Sequence, residues 1–161
     1  MNFDRAHTLL EYNPDSGVLT RRISIRGHNA GSVAGTVMAN GYRGITVDGR
    51  HYYAHRLAWL MVTGLMPETD IDHVNGLKDD NRLTNLRLAT RSQNNGNARR
   101  RKDNTSGYKG VSFHPQTEKW RAAIHIKGRK HHIGLFQTPE EAHQAYINQA
   151  KQVFGEFAKA A

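Results

Sequence analysis

The sequence predicts an α+β fold of small antiparallel sheets and short helices, and three observations lead there. Asn40-Gly41 and Asp48-Gly49 are two-residue hairpin signals set between short apolar runs, which places a β-meander in the first third of the chain. From Trp120 to Lys127 the apolar Trp120, Ala122, Ile124 and Ile126 alternate with Arg121, His125 and Lys127, the period of a strand with one packed and one cationic face. Thr138-Pro139-Glu140-Glu141 supplies a cap, an N1 proline and a capping-box glutamate ahead of a helical stripe of Ala142, Ala145, Tyr146, Gln149, Ala150 and Val153. A chain of 161 residues makes one or two small domains.

Taken in order, Phe3 to Glu11 reads as a short helix anchored by Leu9 and Leu10, and Pro14-Asp15-Ser16-Gly17 as a turn. Val18 to Ile25 alternates loosely and, with its flank, carries Arg21, Arg22 and Arg26. Strands are expected near Ser32 to Met38, Tyr42 to Val47 and Tyr52 to Ala54. Arg43, Arg50 and His51 on that meander fit either a platform for a nucleic-acid backbone or a solvated scaffold face. His55 to Val62 reads as a helix with Leu57, Leu60 and Met61 at helical spacing, closed by Gly64. His55 and Arg56 at its start are candidate phosphate contacts.

The chemistry concentrates between Asp70 and Arg100. Ile71 and Val74 flank Asp72 and His73 as in a short strand that Asn75-Gly76 ends; a second strand is expected at Leu86 to Ala89, and Thr90 can cap a helix beginning near Arg91. Asn94 then lies early on that helix. A carboxylate and an amide carbonyl are hard oxygen donors suited to Mg²⁺ or Mn²⁺, ions that keep several waters and borrow ligands from a substrate phosphate. An imidazole, with an ordinary pKa near 6.5, is mostly uncharged at neutral pH and can act as a general base.

Three motifs carry a family resemblance: Asp72-His73, D-N-R-x-x-N-L-R from Asp80 to Arg87, and S-Q-N from Ser92 to Asn94. Together they make this stretch similar to the HNH endonucleases, the ββα-metal nucleases, in the branch of phage and intron-encoded homing enzymes. The resemblance implies His73 as general base and Asp72 and Asn94 as ligands of one Mg²⁺ or Mn²⁺ ion. It also implies Asn85 as the asparagine that braces the loop and orients the base. Asn97, three residues beyond Asn94 on the same helical face, is a rival ligand.

Composition bounds the partners. A formal net charge of +9 and a pI near 10.1 point to a polyanion, with nucleic acid the first choice, and the nuclease resemblance makes that double-stranded DNA. No apolar run approaches the roughly 18 residues that span a membrane. The chain has no cysteine, which excludes disulfides and cysteine-based zinc sites. Met1 to Leu10 lacks the apolar core of a signal peptide, so a cytoplasmic protein is expected, in the host cytoplasm if a phage encodes it.

Beyond Asn97 the run Arg99-Arg100-Arg101-Lys102 dissolves into turn formers, a basic linker whose cations would each displace counterions from a phosphate backbone. The segment from Tyr108 to Phe157 then reads as three strands and a helix, with a turn at Gly128-Arg129, Lys130 and His132 on the polar face, and Ile133 and Leu135 on the other. Its motifs are Y-K-G-V at Tyr108 to Val111, W-R-A-A-I from Trp120, G-L-F at Gly134 to Phe136 and T-P-E-E-A-H-Q-A-Y at Thr138 to Tyr146. With these it resembles the Apetala-two, or ethylene-response-factor-like, DNA-binding domain. By matching position the DNA-facing set is Lys109, Arg121, His125, Lys130 and His132. The plant domains favour several arginines and a second tryptophan there; histidine and lysine cannot make the bidentate guanine contact of arginine. His125, His131 and His132 lack a fourth ligand at zinc spacing, so no zinc site is expected.

The expected organisation is a β-rich region at 1–54, a ββα-metal nuclease region at 55–98, a basic linker at 99–107 and a DNA-binding sheet-and-helix domain at 108–161. The function implied is a metal-dependent DNA endonuclease that nicks or cuts both strands. The alternative is a non-catalytic DNA-binding or regulatory protein with a relic nuclease motif. A double-strand cut from one such unit needs either a homodimer or a second visit.

Overall fold

The structure, a computed structural model, describes residues 1–25, 27–100 and 103–159. The chain divides into two compact units, Met1–Leu88 and Ala89–Ala161, each α+β. Among the described residues no helix is long and apolar enough to cross a membrane.

The first unit begins with α1 (Phe3–Leu9), capped by the Asn2 side chain accepting from the Arg5 amide. The expected helix to Glu11 stops two residues early because Leu10 turns extended and opens β1 (Leu10–Asn13), which pairs antiparallel with β2 (Val18–Arg21). Ladder hydrogen bonds and burial of Leu10 outweigh a weak helical preference at the end of a two-turn helix. The strand expected at Ser32 to Met38 shrinks to β3 (Thr36–Val37), since Gly35 lies at φ +80° against the Gly44 carbonyl and interrupts the extended chain. β3 pairs with β4 (Arg43–Val47), and β4 with β5 (Arg50–Tyr53). Asp48 and Gly49 both sit at positive φ, the I′ turn that Asp-Gly predicts.

α2 (Ala54–Thr63) follows directly, burying Ala54, Leu57, Ala58 and Leu60 at helical spacing; Gly64, left-handed at φ 77°, ends it. Leu19, Ile45, Leu57 and Leu60 are the largest fully buried side chains of this unit. On that slab rests β6 (Asp70–His73), paired with β7 (Leu86–Ala89) and joined to it by a loop ending in a 3₁₀ turn at Leu83–Asn85. The β1–β2 turn clamps the loop from outside. Tyr12 Oη donates to the Asn81 carbonyl at 2.7 Å, and the Leu83 amide to the Pro14 carbonyl at 3.1 Å.

The second unit opens with α3 (Arg91–Asn97), held by a capping box between Thr90 and Gln93. Three strands, β8 (Val111–His114), β9 (Lys119–Ile126) and β10 (Arg129–Phe136), form an antiparallel sheet in the order β10-β9-β8, with α4 (Pro139–Phe154) packed against it. The β9–β10 turn falls on Lys127-Gly128, both at positive φ, one residue before the expected Gly128-Arg129. α4 has the capping box of Thr138 and Glu141 and buries Ala142, Tyr146, Ala150 and Phe154. A bulge between His132 and Gly134 shifts the β10 register. As a result Leu135 stands opposite Arg121, on the cationic face, and not on the packed face with Ile133 as simple alternation suggests.

Gly110, at φ +76°, approaches the Tyr146 ring so closely that a Cβ would overlap it. Gly110→Ala is therefore expected to cost more than the ~1–3 kcal/mol of backbone strain alone. Urea unfolding of the variant checks this, and a loss under ~0.5 kcal/mol would contradict the close packing of Gly110 on α4.

Candidate active site

β6 is buried on both faces, so its two polar neighbours point to opposite sides, each into its own set of partners. Asp72, 3% exposed, meets Arg87 from β7, whose Nε and Nη2 donate to Oδ2 at 2.9 and 2.8 Å. His73, 4% exposed, meets Asn81 and a group of aromatic rings.

The His73–Asn81 contact sets a tautomer. Asn81 Nδ2 donates to the Asp79 carbonyl at 3.2 Å, which turns Oδ1 toward His73 Nε2 at 3.3 Å. An amide oxygen can only accept, so the neutral imidazole carries its proton on Nε2 and its lone pair on Nδ1. Burial pushes the His73 pKa below its ordinary value, while the Asn81 hydrogen bond and the carboxylates of Asp72, Asp80 and Asp79 pull it up. Burial prevails, which favours the uncharged ring.

Asn85 organises the loop. Its Oδ1 accepts from the Asn75 amide at 3.0 Å and its Nδ2 donates to the Asp80 carbonyl at 2.7 Å. Its backbone carbonyl accepts from the Val74 amide at 2.9 Å. Asp80 in turn takes Asn75 Nδ2 and Arg82, and the Arg82 guanidinium, as the leading cause, holds the carboxyl down to about 2. The loop is thus tied at Asn75, Asp80 and Asn85 around His73.

The rings beside His73 come from the meander and the start of α2: Tyr42 at 5.8 Å between centroids and His55 at 5.1 Å, nearly perpendicular. Lys78 lies over the Tyr42 ring, 4.8 Å from its centroid. His55 is buried, 6% exposed, which removes it as a phosphate contact; an imidazole so enclosed cannot reach a polyanion. Arg56 donates to the carbonyls of Thr69 and Pro67 and so holds the approach to β6. Arg43 is bound to Asp79 at 2.9 Å and to the Gly35 carbonyl, whereas Arg50 and His51 are exposed.

Asp72, His73 and Asn85 thus come together in the first unit, while Asn94, half-buried, and Asn97, buried, stand on α3 of the second. Asn81, Arg87 and Tyr42 are the residues that sequence reasoning missed. Asn81 and Arg87 lie inside the very D-N-R-x-x-N-L-R run that carried the resemblance, but nothing in the spacing tells which asparagine reaches the imidazole. Among the described residues no group of three histidine, cysteine, aspartate or glutamate side chains could hold a metal ion. Asp72 is a hard-oxygen donor, the kind that suits Mg²⁺ or Mn²⁺ completing its shell with water and phosphate.

In the second unit, register places Arg121, His125, Lys130 and His132 on one sheet face, with Lys130 opposite His125 and His132 opposite Ala123. A groove of about 570 Å³ is lined by Arg99, Arg100, Lys109, His125 and Lys130 together with Asp103. Arg121 is half-buried and donates to Ser112 Oγ at 3.3 Å. The Lys109 ammonium donates to the carbonyls of Gly96 and Lys159, and burial brings its pKa down to about 8. Arg101 lies outside the described residues, as do Arg26 and Lys102.

Residues 52–96, which span α2, β6, the asparagine-rich loop, β7 and most of α3, match the HNH endonuclease family. Protein 3.8 of Escherichia phage T7 is 32% identical over 106 residues, which cover 65% of this chain and 87% of the phage protein. The chain belongs to the HNH endonuclease family. An uncharacterized HNH endonuclease of Acanthamoeba polyphaga mimivirus is 36% identical over 106 residues, 65% of this chain and 54% of that protein. No solved structure matches the chain.

Within this HNH unit the buried Asp72–Arg87 pair is expected to dominate local stability. Arg87→Leu removes the guanidinium from a carboxylate 3% exposed, at an expected cost of ~3–5 kcal/mol. Equilibrium urea unfolding measures it, and a loss below ~1 kcal/mol would show that the pair is not what holds Asp72.

Proposed function

We propose that this HNH protein is a metal-dependent DNA endonuclease with His73 as its general base. The observation that carries the reading is the buried imidazole whose Nε2 is committed to Asn81 Oδ1, next to Asp72 and inside the family-matching segment. A protein that only bound DNA would have no use for a buried, oriented, uncharged imidazole. Asp72 and Asn94 would hold Mg²⁺ or Mn²⁺, with Asn97 the rival to Asn94. When bound, such an ion supplies Lewis-acid neutralisation of charge on the scissile phosphate.

The chain's own residues do the rest. His73 Nδ1 takes a proton from water as its oxygen attacks phosphorus in line; the bond from phosphorus to the 3′ oxygen breaks, and that oxygen is protonated from solvent. Asn81 keeps the ring in the tautomer this requires, and Asn85 braces the loop from which Asn81 projects. Arg87 orients the Asp72 carboxylate. The second unit, read as an Apetala-two-like domain, would hold the duplex by the cationic face of its sheet, with Arg121, His125, Lys130 and His132, and by the basic segment of Arg99, Arg100 and Arg101.

A plasmid-nicking assay tests the chemistry. The wild type is expected to cut with Mg²⁺ or Mn²⁺ and to stop with EDTA, and His73→Ala to lose cleavage by at least ~10³-fold while DNA affinity changes less than ~3-fold. Undiminished cutting by His73→Ala would remove the base assignment. Lys130→Ala tests the sheet: it should weaken DNA binding and lower the slope of log K against log salt by about 1. An unchanged slope would take Lys130 out of the interface.

A further inference from the structure

On the sheet of the second unit one apolar side chain stands apart from the core. Register sets Ser112, Arg121 and Leu135 side by side across β8, β9 and β10, with His125, Lys130 and His132 farther along the same face. Leu135 is 38% exposed and is the one large apolar side chain among the described residues of that face. Its place follows from the bulge. A Cβ at Gly134 would come within 3.0 Å of the Phe136 ring, so glycine takes the packed position opposite Ala122, and Leu135 is turned outward.

Charge decides what this face meets. Ala89–Ala161 carries nearly all of the chain's net charge of +9, which calls for a polyanion. The apolar group that duplex DNA offers such a surface is the thymine C5-methyl, which lies in the major groove and not in the minor. That groove admits a two-stranded β-ribbon, and Leu135 shares β9 and β10 with Arg121, His125, Lys130 and His132. Arg121 Nη2 donates to Ser112 Oγ at 3.3 Å, which draws the guanidinium toward β8, on the far side of β9 from Leu135. We propose that Leu135 reads sequence: its side chain packs on the C5-methyl of a thymine in the major groove and gives the second unit a preference for a T·A pair at that position. The inference rests on the DNA-holding role given to this sheet above. Lysine and histidine around it supply attraction to the backbone, and Leu135 supplies the choice between bases.

The test takes the full chain in EDTA, which withholds the metal, and a pool of short DNA duplexes of random sequence. Retained duplexes are sequenced, and the best of them is remade with each thymine replaced in turn by deoxyuridine, which removes only the methyl. At one position the replacement should weaken wild-type binding about three- to fivefold, the size expected of one buried methyl group. Leu135→Ala should bind the thymine and deoxyuridine duplexes alike and keep the wild-type slope of log K against log salt, since it removes no phosphate contact. The proposal is overturned if no sequence is enriched, if no replacement weakens wild-type binding by as much as about twofold, or if Leu135→Ala keeps the deoxyuridine penalty. Should Leu135→Ala be unfolded, Leu135→Gln replaces it with the same expectations; if both are unfolded, Leu135 serves the fold and the proposal is again overturned. A wild type that retains no duplex at low salt ends the DNA-holding reading, and this inference with it. A wild type that retains duplex, is weakened by Lys130→Ala and ignores every deoxyuridine ends this inference alone.

Discussion

Two adjacent polar side chains on a buried four-residue strand set the terms for everything around them. Taking Asp72 and His73 out of water is unfavourable unless each meets a partner, and strand geometry sends them to opposite sides, so two separate sets of partners are needed. β7 provides one, through Arg87, and the loop between the strands provides the other, through Asn81. The asparagines and aspartates of that loop are therefore structural necessities before they are anything else. Asn85 and Asp80 close the loop on itself, and Tyr12 and Pro14 pin it from the β1–β2 turn.

The same arrangement separates the two jobs that the proposed reaction requires. The carboxylate face holds Asp72 against the Arg87 guanidinium, and the proposed reaction assigns this carboxylate to a cation as a hard-oxygen donor. The imidazole face is lined by the rings of Tyr42 and His55, and burial there holds the His73 pKa below its ordinary value, which favours the uncharged ring. The proposed base and the proposed oxygen donor can differ in this way on one strand because its two faces do not share an environment. The second unit adds a different kind of device. Its sheet packs α4 on one side and leaves histidine and lysine on the other, and Arg99 and Arg100 line a groove with His125 and Lys130. Exposed cations like these act over a Debye length and need no exact placement, whereas the imidazole does.

Much of this was legible along the chain because it depends on neighbours in sequence. Thr138 with Glu141, Thr90 with Gln93 and the Asp48-Gly49 turn are local devices, and each appears where its residues stand. The expectations that changed involve long-range competition. Leu10 leaves its helix to pair with Arg21, Gly35 breaks a strand because Gly44 lies against it, and the bulge at His132 carries Leu135 to the cationic face. His55 changed most, from a surface phosphate contact to a buried ring, since a position at a helix start does not reveal which side of the helix is covered.

By itself the sequence determined the family, the strand carrying Asp72 and His73, the caps and hairpins, and the basic charge that suits a polyanion, all of them set by residue type and spacing. Only the tertiary structure decided that Asn81 takes His73 Nε2, that Arg87 takes Asp72, and that Tyr42 and His55 stand against the imidazole. Those pairings join elements distant in the chain. Which side chains meet there depends on how α2, the meander and the loop pack around β6, and no local periodicity encodes that packing.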